Sequence, residues 1–230
     1  MSLIHPTFNR IHTNTMKLIR PLLPLLFIAF TCSSQAALVF TREDVADGTI
    51  RYDYNTLEDT SYINGKRTDQ SFENAADAIQ NVVRLKTDEN PSLVSERNFT
   101  SAGRTNSFVW EFRAPENYKI TTLQIGYRLT VFPQATEGNS IVLSVSVDGK
   151  KYTPFATVKA NGTLQDVNKV TDLTSHVAGN LKYFIKGELN YTKDSTPDQM
   201  QIFRTGFGPG DWTGVPNASF RNTIGVALEP

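Results

Sequence analysis

The stretch SFVWEFRAPENYKITTLQIGYRLTVF, residues 107–132, decides the fold class of this 230-residue chain. Apolar and polar residues alternate along it with a period of two, which is typical of strands that have one face in a core and the other in water. In its second half one face carries Leu123, Ile125, Tyr127, Leu129 and Val131. The opposite face carries Gln124, Gly126, Arg128 and Thr130. The pattern predicts strands over residues 107–113 and 122–132.

The same alternation recurs on both sides of this stretch. It predicts further strands over residues 48–54, 140–147, 152–158, 167–177, 181–192, 199–205 and 222–228. The dipeptide Asp148-Gly149 tolerates positive φ angles and predicts a tight hairpin turn. Strands at spacings set by turns, with no βαβ rhythm, predict an all-β fold with two antiparallel sheets in a sandwich. A closed barrel, which also hides strand edges, is the alternative.

Residues 71–83 depart from the period of two. Their apolar side chains fall at helical spacing, and Ser71 is available as an N-cap. This spacing predicts one short helix near residues 71–83. The alternative is a loop that leads into a strand over residues 81–86.

The N-terminal segment has the pattern of a secretory signal peptide. A basic start at residues 16–20 precedes an apolar run at residues 21–30, and Ser34-Gln35-Ala36 fits a small-residue cleavage site. The run is shorter than the roughly 20 residues that a membrane span needs. We therefore predict a signal peptide within residues 1–36 and a single β-sandwich domain over residues 37–230. Residues 1–15 are an upstream extension or a misassigned start, with Met16 as the alternative initiator.

Export has consequences for lipid attachment and for disulfide bonds. Cys32 follows the apolar run, but Ala29-Phe30-Thr31 before it matches a lipoprotein signal poorly, so we expect a secreted or periplasmic protein without a lipid anchor. Cleavage after Ala36 removes this cysteine, the only one in the chain. The mature protein would then be stabilised by burial of apolar surface without disulfides.

Charge and histidine content exclude several function classes. Residues 37–230 contain 20 basic and 23 acidic residues, a net charge of −3, which argues against nucleic-acid binding. His176 is the only histidine in this part, so a His-rich zinc site and catalytic centres with two histidines are excluded. No Gly-x-Ser-x-Gly elbow accompanies His176. We expect it to be a surface residue at a strand end.

The chain resembles the galactose-binding-like, or discoidin-type, jelly rolls that occur beside carbohydrate-active enzymes. The resemblance covers about residues 106–192 and rests on the corner FRAP at residues 112–115, on SVDGKKY at residues 146–152 and on YFIKGEL at residues 183–189. It implies a jelly-roll sandwich in a secreted module whose loops at one end hold a sugar, often with a structural calcium elsewhere. Ligand residues vary between members of this family, and none is transferred to this chain.

A glycine-rich stretch, FRTGFGPGDWTGVPNASF at residues 203–220, is the candidate ligand segment. A sugar site combines an aromatic platform with a few convergent polar groups. The stretch supplies such a set: Trp212, Phe207, Asp211, Arg204 and Asn217. The alternative is a structural segment that covers an open sheet edge, with its aromatic residues buried against the sandwich. The other tryptophan, Trp110, lies on a strand with the pattern of a core strand, and we predict that its side chain packs in the core.

Acidic residues offer two further kinds of site. The resemblance implies a structural Ca²⁺, for which Glu43, Asp44 and Asp47 are weak candidates because no loop of calcium-binding spacing is present. A glycosidase needs two carboxylates across the scissile bond. Glu111 and Glu188 alternate with apolar neighbours, so we expect them on the solvent faces of their strands.

The sequence supports one function above two others. We predict a secreted, non-catalytic binding module whose partner is a glycan or polysaccharide, with Trp212 as the first aromatic contact. One alternative is an exported structural or surface-associated domain that contacts proteins. The other is a carboxylate-dependent glycan hydrolase or lyase.

Overall fold

The computed structural model describes residues 37–85, 91–96, 99–204 and 219–229. The predicted signal peptide, residues 1–36, lies outside the described residues. Among the described residues, six strands form one sheet and nine form a second. Two helices of one turn each accompany them: α1 (Phe72–Ala75) and α2 (Thr174–Val177). Two short 3-10 helices occupy Arg42–Asp44 and Pro197–Gln199.

The first sheet has the order β1-β8-β13-β10-β11, and β5 shares the β1 edge of β8. Its strands are β1 (Ala37–Val39), β5 (Ala78–Gln80), β8 (Thr105–Arg113), β10 (Ser140–Ser146), β11 (Thr153–Lys159) and β13 (Lys182–Asn190). All pairs are antiparallel except β1 with β8.

The second sheet is built around its longest strand, β9. Its strands are β2 (Thr49–Asn55), β3 (Thr60–Ile63), β4 (Lys66–Arg67), β6 (Val82–Leu85), β7 (Ser92–Ser95), β9 (Tyr118–Val131), β12 (Gln165–Asp172), β14 (Met200–Ile202) and β15 (Phe220–Leu228). One edge of β9 pairs with β12. The other edge is shared, because β15 pairs with residues 118–127 and β14 pairs with residues 129–131. Strands β2, β3 and β4 extend the sheet beyond β15, and β7 and β6 extend it beyond β14.

The chain crosses between the two sheets repeatedly, from β8 to β9, from β9 to β10 and from β11 through β12 to β13. This interleaved winding confirms the predicted antiparallel β-sandwich of jelly-roll type. The two sheets enclose an aromatic core centred on Trp110, which is fully buried as predicted. Its ring lies 4.9 Å from that of Phe220 and 5.5 Å from that of Phe203, centroid to centroid. Each such aromatic contact contributes about 1 kcal/mol beyond the burial of its area.

The helix prediction for residues 71–83 is correct only for its first turn. The Ser71 hydroxyl accepts a hydrogen bond from the Asn74 amide, as an N-cap does, but α1 ends at Ala75. The chain then forms β5 and, after Asn81 in a left-handed conformation (φ 55°), β6. Since Ile79 and Val83 are exposed, the helical spacing of apolar residues did not mark a buried helical face. Backbone pairing with β8 and β7 prevails instead, and the alternative strand at residues 81–86 is the better prediction.

Two other strand boundaries differ from the sequence pattern. The strand predicted over residues 167–177 ends at Asp172, whose carboxylate accepts a hydrogen bond from the Thr174 amide at the start of α2. His176 is exposed on that helical turn. The predicted tight turn at Asp148-Gly149 is a longer loop, residues 147–152, in which Gly149 has a φ of 69° and Asp148 accepts hydrogen bonds from the Lys150 and Lys151 amides.

Candidate functional site

A cleft of about 330 Å³ opens where β9 ends, beside β14. Small-molecule sites commonly start near this volume. The cleft is lined by one aromatic ring, three amides, one hydroxyl and one carboxylate: Phe132, Gln134, Gln199, Gln201, Thr196 and Asp198. We call it the β9–β14 cleft.

Strand pairing explains why these side chains face the same way. Met200 pairs with Val131, and both are fully buried in the core. Because successive side chains of a strand point to opposite faces, their neighbours Gln201 and Phe132 lie on the outward face of the sheet. The Phe132 amide donates a 2.9 Å hydrogen bond to the Gln199 carbonyl, which fixes the two walls of the cleft together.

Arg204 lies against Phe132, a residue that lines the cleft, because the alternation breaks at the residue before Arg204. Ile202 and Phe203 are consecutive, yet both are fully buried in the core. Phe203 adopts a φ of 55°, a left-handed conformation that is uncommon for a bulky residue and turns its ring inward. The next side chain, that of Arg204, lies over the ring of Phe132 with its guanidinium carbon 5.3 Å from the ring centroid.

The guanidinium of Arg204 lies in an unusually cationic environment. Burial lowers its pKa, the nearby charge of Arg128 lowers it further, and Asp166 opposes both effects. Its Nε is buried and has no hydrogen-bond partner. A cation at this position is stabilised by the face of an aromatic ring, an interaction worth about 1 kcal/mol.

Arg128 and Asp166 form a bidentate ion pair on the outward face of the sheet. Asp166 lies opposite Thr130, which in turn pairs with the lining residue Gln201. Arg128 is only 5% exposed, and its Nε and Nη2 donate to the two carboxylate oxygens of Asp166 at 2.9 and 2.6 Å. Thr130, directly opposite Asp166 in the sheet, also donates to that carboxylate. Hydrogen bonding to Arg128 is the main reason that the pKa of Asp166 is lowered. The remaining nitrogen, Nη1 of Arg128, is buried without a partner.

Gln201 provides an unused acceptor in the same place. It pairs with Thr130 across the sheet and is 5% exposed, and its Oε1 has no hydrogen-bond partner. A buried polar atom without a partner costs about 1–3 kcal/mol. The cleft thus combines an aromatic wall, amides that donate and accept, and a cation, which is a suitable set for a ligand rich in hydroxyl groups.

Comparisons with known proteins give no family assignment. No protein-family model matches the chain, and no curated protein matches it. Among solved structures the chain is similar to a CBM61 module in complex with β-1,4-galactotriose, with 14% identity, a TM-score of 0.29, and coverage of 60% of this chain and 71% of the module. It is also similar to a CBM35 module from Cellvibrio japonicus, with 10% identity, a TM-score of 0.30, and coverage of 66% and 91%.

A third similar structure is a carbohydrate-binding module from a Cellvibrio mixtus lichenase in complex with cellotriose. Here the identity is 13% and the TM-score 0.28, with 65% of this chain and 91% of the module covered. These modules belong to the class that the sequence resemblance named. At such low identity and TM-score, the likeness carries no argument about ligand or mechanism.

The predicted ligand set falls mostly outside the described residues. Trp212, Phe207, Asp211 and Asn217 lie in the range 205–218, so their part in a site stays a prediction. Arg204 is described, and its guanidinium stacks on Phe132, which lines the β9–β14 cleft. The sequence analysis missed Phe132, Gln134, Gln199 and Gln201, although the alternation already placed Arg128 and Thr130 on the outward face of β9. Phe132, at the end of that strand, continues the same face.

The two glutamates considered for glycan hydrolysis are engaged in ion pairs. Glu111 is on the outward face as predicted, but it is 3% exposed instead of solvated, and Arg113 and Lys182 lie 2.6 and 3.1 Å from its carboxylate. Burial alone would raise the pKa of Glu111, but the hydrogen bonds and charges of these two cations lower it. Glu188 pairs with Lys186 at 2.7 Å. Both carboxylates have the surroundings of structural ion pairs.

The calcium candidates lie around the first 3-10 helix. One carboxylate oxygen of Asp44 accepts hydrogen bonds from the amide and hydroxyl of Thr41, and Glu43 and Asp47 are exposed. In the part of the chain that the structure describes, no three His, Cys, Asp or Glu side chains are grouped so as to hold a metal ion. These residues form no ready cage of side chains for Ca²⁺, and calcium binding here stays a prediction.

Proposed function

We propose that this protein is a secreted, non-catalytic carbohydrate-binding module that binds a glycan in the β9–β14 cleft. The observation that supports this most directly is the composition of the cleft: Phe132 and three glutamine amides converge around a volume that fits one or two sugar units. Apolar C–H faces of a sugar pack against an aromatic wall, and its hydroxyl groups exchange hydrogen bonds with amides.

The proposal of export rests on the N-terminal sequence, with its basic start, short apolar run and small-residue exit. Within the described part of the chain, no helix has the length and apolar character needed to cross a membrane. A secreted or periplasmic module would meet extracellular polysaccharide, which is consistent with a glycan partner.

The proposal that the module is non-catalytic rests on the state of its carboxylates. A hydrolase requires an acid that is open to substrate and a second carboxylate at a set distance. Glu111 is enclosed by two cations and Glu188 pairs with a lysine, so neither is available in this way. The alternative of a glycan hydrolase or lyase therefore gains no support from these residues.

Affinity electrophoresis through gels that contain soluble polysaccharides tests the proposal. We expect one or more polymers to retard the wild-type protein and to retard Gln134→Ala much less, because Gln134 is an exposed residue that lines the cleft. Gln124→Ala is the matched control, since Gln124 is an exposed glutamine in the middle of β9 and does not line the cleft. Retardation of no variant by any polymer would overturn the proposal and favour a role in protein contacts.

The predicted ligand segment is tested in the same gels. Trp212→Ala removes the aromatic residue that the sequence predicts as the first sugar contact. If Trp212 contributes, we expect weaker retardation with an unchanged melting temperature. A lower melting temperature with unchanged retardation would support the alternative, in which residues 205–218 have a structural role.

A further inference from the structure

Arg204 is a cation without a counter-ion. Among the described residues no carboxylate forms an ion pair with it, whereas its neighbour Arg128 is held by both oxygens of Asp166. Two guanidinium groups therefore lie near one carboxylate, that of Asp166, whose side chain is 29% exposed. Asp198 also borders the cleft, but its side chain is exposed to solvent at the rim, where water screens its charge.

Two contacts orient Arg204. The ring of Phe132 lies under its guanidinium, and the buried backbone of Phe203 holds its main chain through a 2.8 Å hydrogen bond from the Phe203 amide to the Arg128 carbonyl. A guanidinium that is stacked on a ring keeps its planar edge of donors free for a planar acceptor. A carboxylate matches this edge with two parallel hydrogen bonds.

Polar atoms near Arg204 indicate which other functional groups the ligand should carry besides its carboxylate. The Oε1 atom of Gln201 is an acceptor without a partner, so it calls for a donor such as a hydroxyl group. Nε of Arg204 and Nη1 of Arg128 are buried donors without a hydrogen-bond partner, so each needs an acceptor. A ligand that carries a carboxylate and hydroxyl groups on one small ring would meet both requirements.

We propose that the β9–β14 cleft selects glycans that contain uronic acid, with Arg204 as the residue that binds the sugar carboxylate. This inference rests on the proposed function and makes it more specific. It assigns a specific partner, the sugar carboxylate, to the cation that stacks on the aromatic wall of the cleft. Asp166 keeps Arg128 neutralised, so that the excess positive charge is located on Arg204.

The test compares each acidic polymer with its uncharged counterpart. The probes are polygalacturonate, alginate and glucuronoxylan, each beside a sample whose carboxyl groups have been reduced to primary alcohols. We expect at least one acidic polymer to bind the wild-type protein about tenfold or more tightly than its reduced form, as loss of one charge-assisted hydrogen-bonded pair predicts.

Variants at Arg204 test whether this residue causes the preference for the acidic polymer. Arg204→Gln should lose about tenfold in affinity for the acidic polymer and little for the reduced polymer. Arg204→Lys should retain part of the preference, because it keeps the positive charge but loses the planar pair of donors of the guanidinium. Arg67→Gln is the matched control, since Arg67 is an exposed arginine on β4 of the same sheet. Melting curves show whether the variants fold. If Arg204→Gln does not fold, the comparison of acidic and reduced polymers on the wild-type protein still tests the inference.

The outcomes separate this inference from the proposed function. Equal binding of acidic and reduced polymers would overturn the uronate preference and leave carbohydrate binding intact. Binding of no polymer would overturn both. Equal binding of dextran sulfate and polygalacturonate would also overturn the inference, because it would indicate attraction to any polyanion.

Discussion

Arg204 is stacked on Phe132, which lines the β9–β14 cleft, with its guanidinium carbon 5.3 Å from the ring centroid. The two residues come from distant parts of the sequence and meet because β14 pairs with the end of β9. The contact joins the aromatic wall of the cleft to its cation. Changes to either residue should therefore affect ligand binding more than folding.

The first prediction concerns Phe132. Phe132→Ala removes the apolar wall and the support under Arg204, so we expect affinity for the bound glycan to fall by about tenfold, equivalent to roughly 1.4 kcal/mol. Titration calorimetry measures the change. Phe155→Ala, at a half-buried phenylalanine of β11, is the control and should leave affinity unchanged. Equal losses in both variants would contradict a specific role for Phe132.

The second prediction concerns the ion pair between Arg128 and Asp166. Asp166→Asn leaves the guanidinium of Arg128, which is 5% exposed, without its counter-charge. We expect the free energy of unfolding to fall by about 2 kcal/mol, because hydrogen bonds to charged groups are worth more than neutral ones. Urea denaturation measures this value. A double-mutant cycle with Arg128→Gln should show coupling, and purely additive effects would contradict the pairing.

The third prediction concerns the contact between the two central strands of the first sheet. Gly187 of β13 lies against Phe108 of β8, and a Cβ atom at Gly187 would stand 2.3 Å from the Phe108 ring. Because Phe108 is fully buried and cannot move freely, we expect Gly187→Ala to cost about 2 kcal/mol through overpacking. Chemical denaturation measures the loss. Gly162→Ala is the comparison: it meets no neighbouring atom within 4 Å, so its expected cost of about 1 kcal/mol comes from backbone strain at a φ of 79° and not from overpacking. A stable Gly187→Ala protein would show that the sheet can relax here.

The fourth prediction concerns the loop between β10 and β11. The amides of Lys151 and Lys150 and the hydroxyl of Ser146 donate hydrogen bonds to Asp148, and together they lower its pKa to about 2. A carboxyl group with a lowered pKa in the folded state stabilises the fold above its ordinary pKa, and this contribution is lost as the pH falls from about 4 to about 2. An NMR titration of the Asp148 carboxyl carbon should show a midpoint near 2. A midpoint near 4 would contradict the hydrogen bonds of this loop.

The fold was predictable to the extent that one face of each strand is buried. In β8, β9 and β13 the alternation of side chains identified the strands and their core faces, but it placed Arg128 and Thr130 in water, whereas they are 5% and 0% exposed. The short strands β3, β4 and β7 were missed because a strand of two to four residues has too little periodicity to be identified. The helix predicted near residues 71–83 was wrong beyond its first turn, since apolar residues at helical spacing also occur where backbone pairing decides the structure.

The candidate site was less predictable than the fold. Arg204 was identified from its aromatic and glycine-rich surroundings, but its contact with Phe132 depends on pairing between β9 and β14, which a single sequence does not reveal. The inward turn of Phe203 was equally hidden, because a left-handed conformation at a bulky residue runs against local preference. The paired state of Glu111 follows from cations on the same and the neighbouring strand, Arg113 and Lys182, whose proximity depends on strand register.

The shared edge of β9 has a consequence for how this protein can diversify. The Phe203 amide binds the carbonyl of Arg128, and Phe220 pairs with Tyr127, so the chain before and after residues 205–218 is attached to adjacent positions of one strand. Insertions or deletions between these two anchors leave the register of both flanking strands unchanged, and the entropic cost of a longer connection grows only slowly with its length. Residues 205–218 can therefore differ in length and sequence between variants of this protein while β14 and β15 keep their pairing with β9.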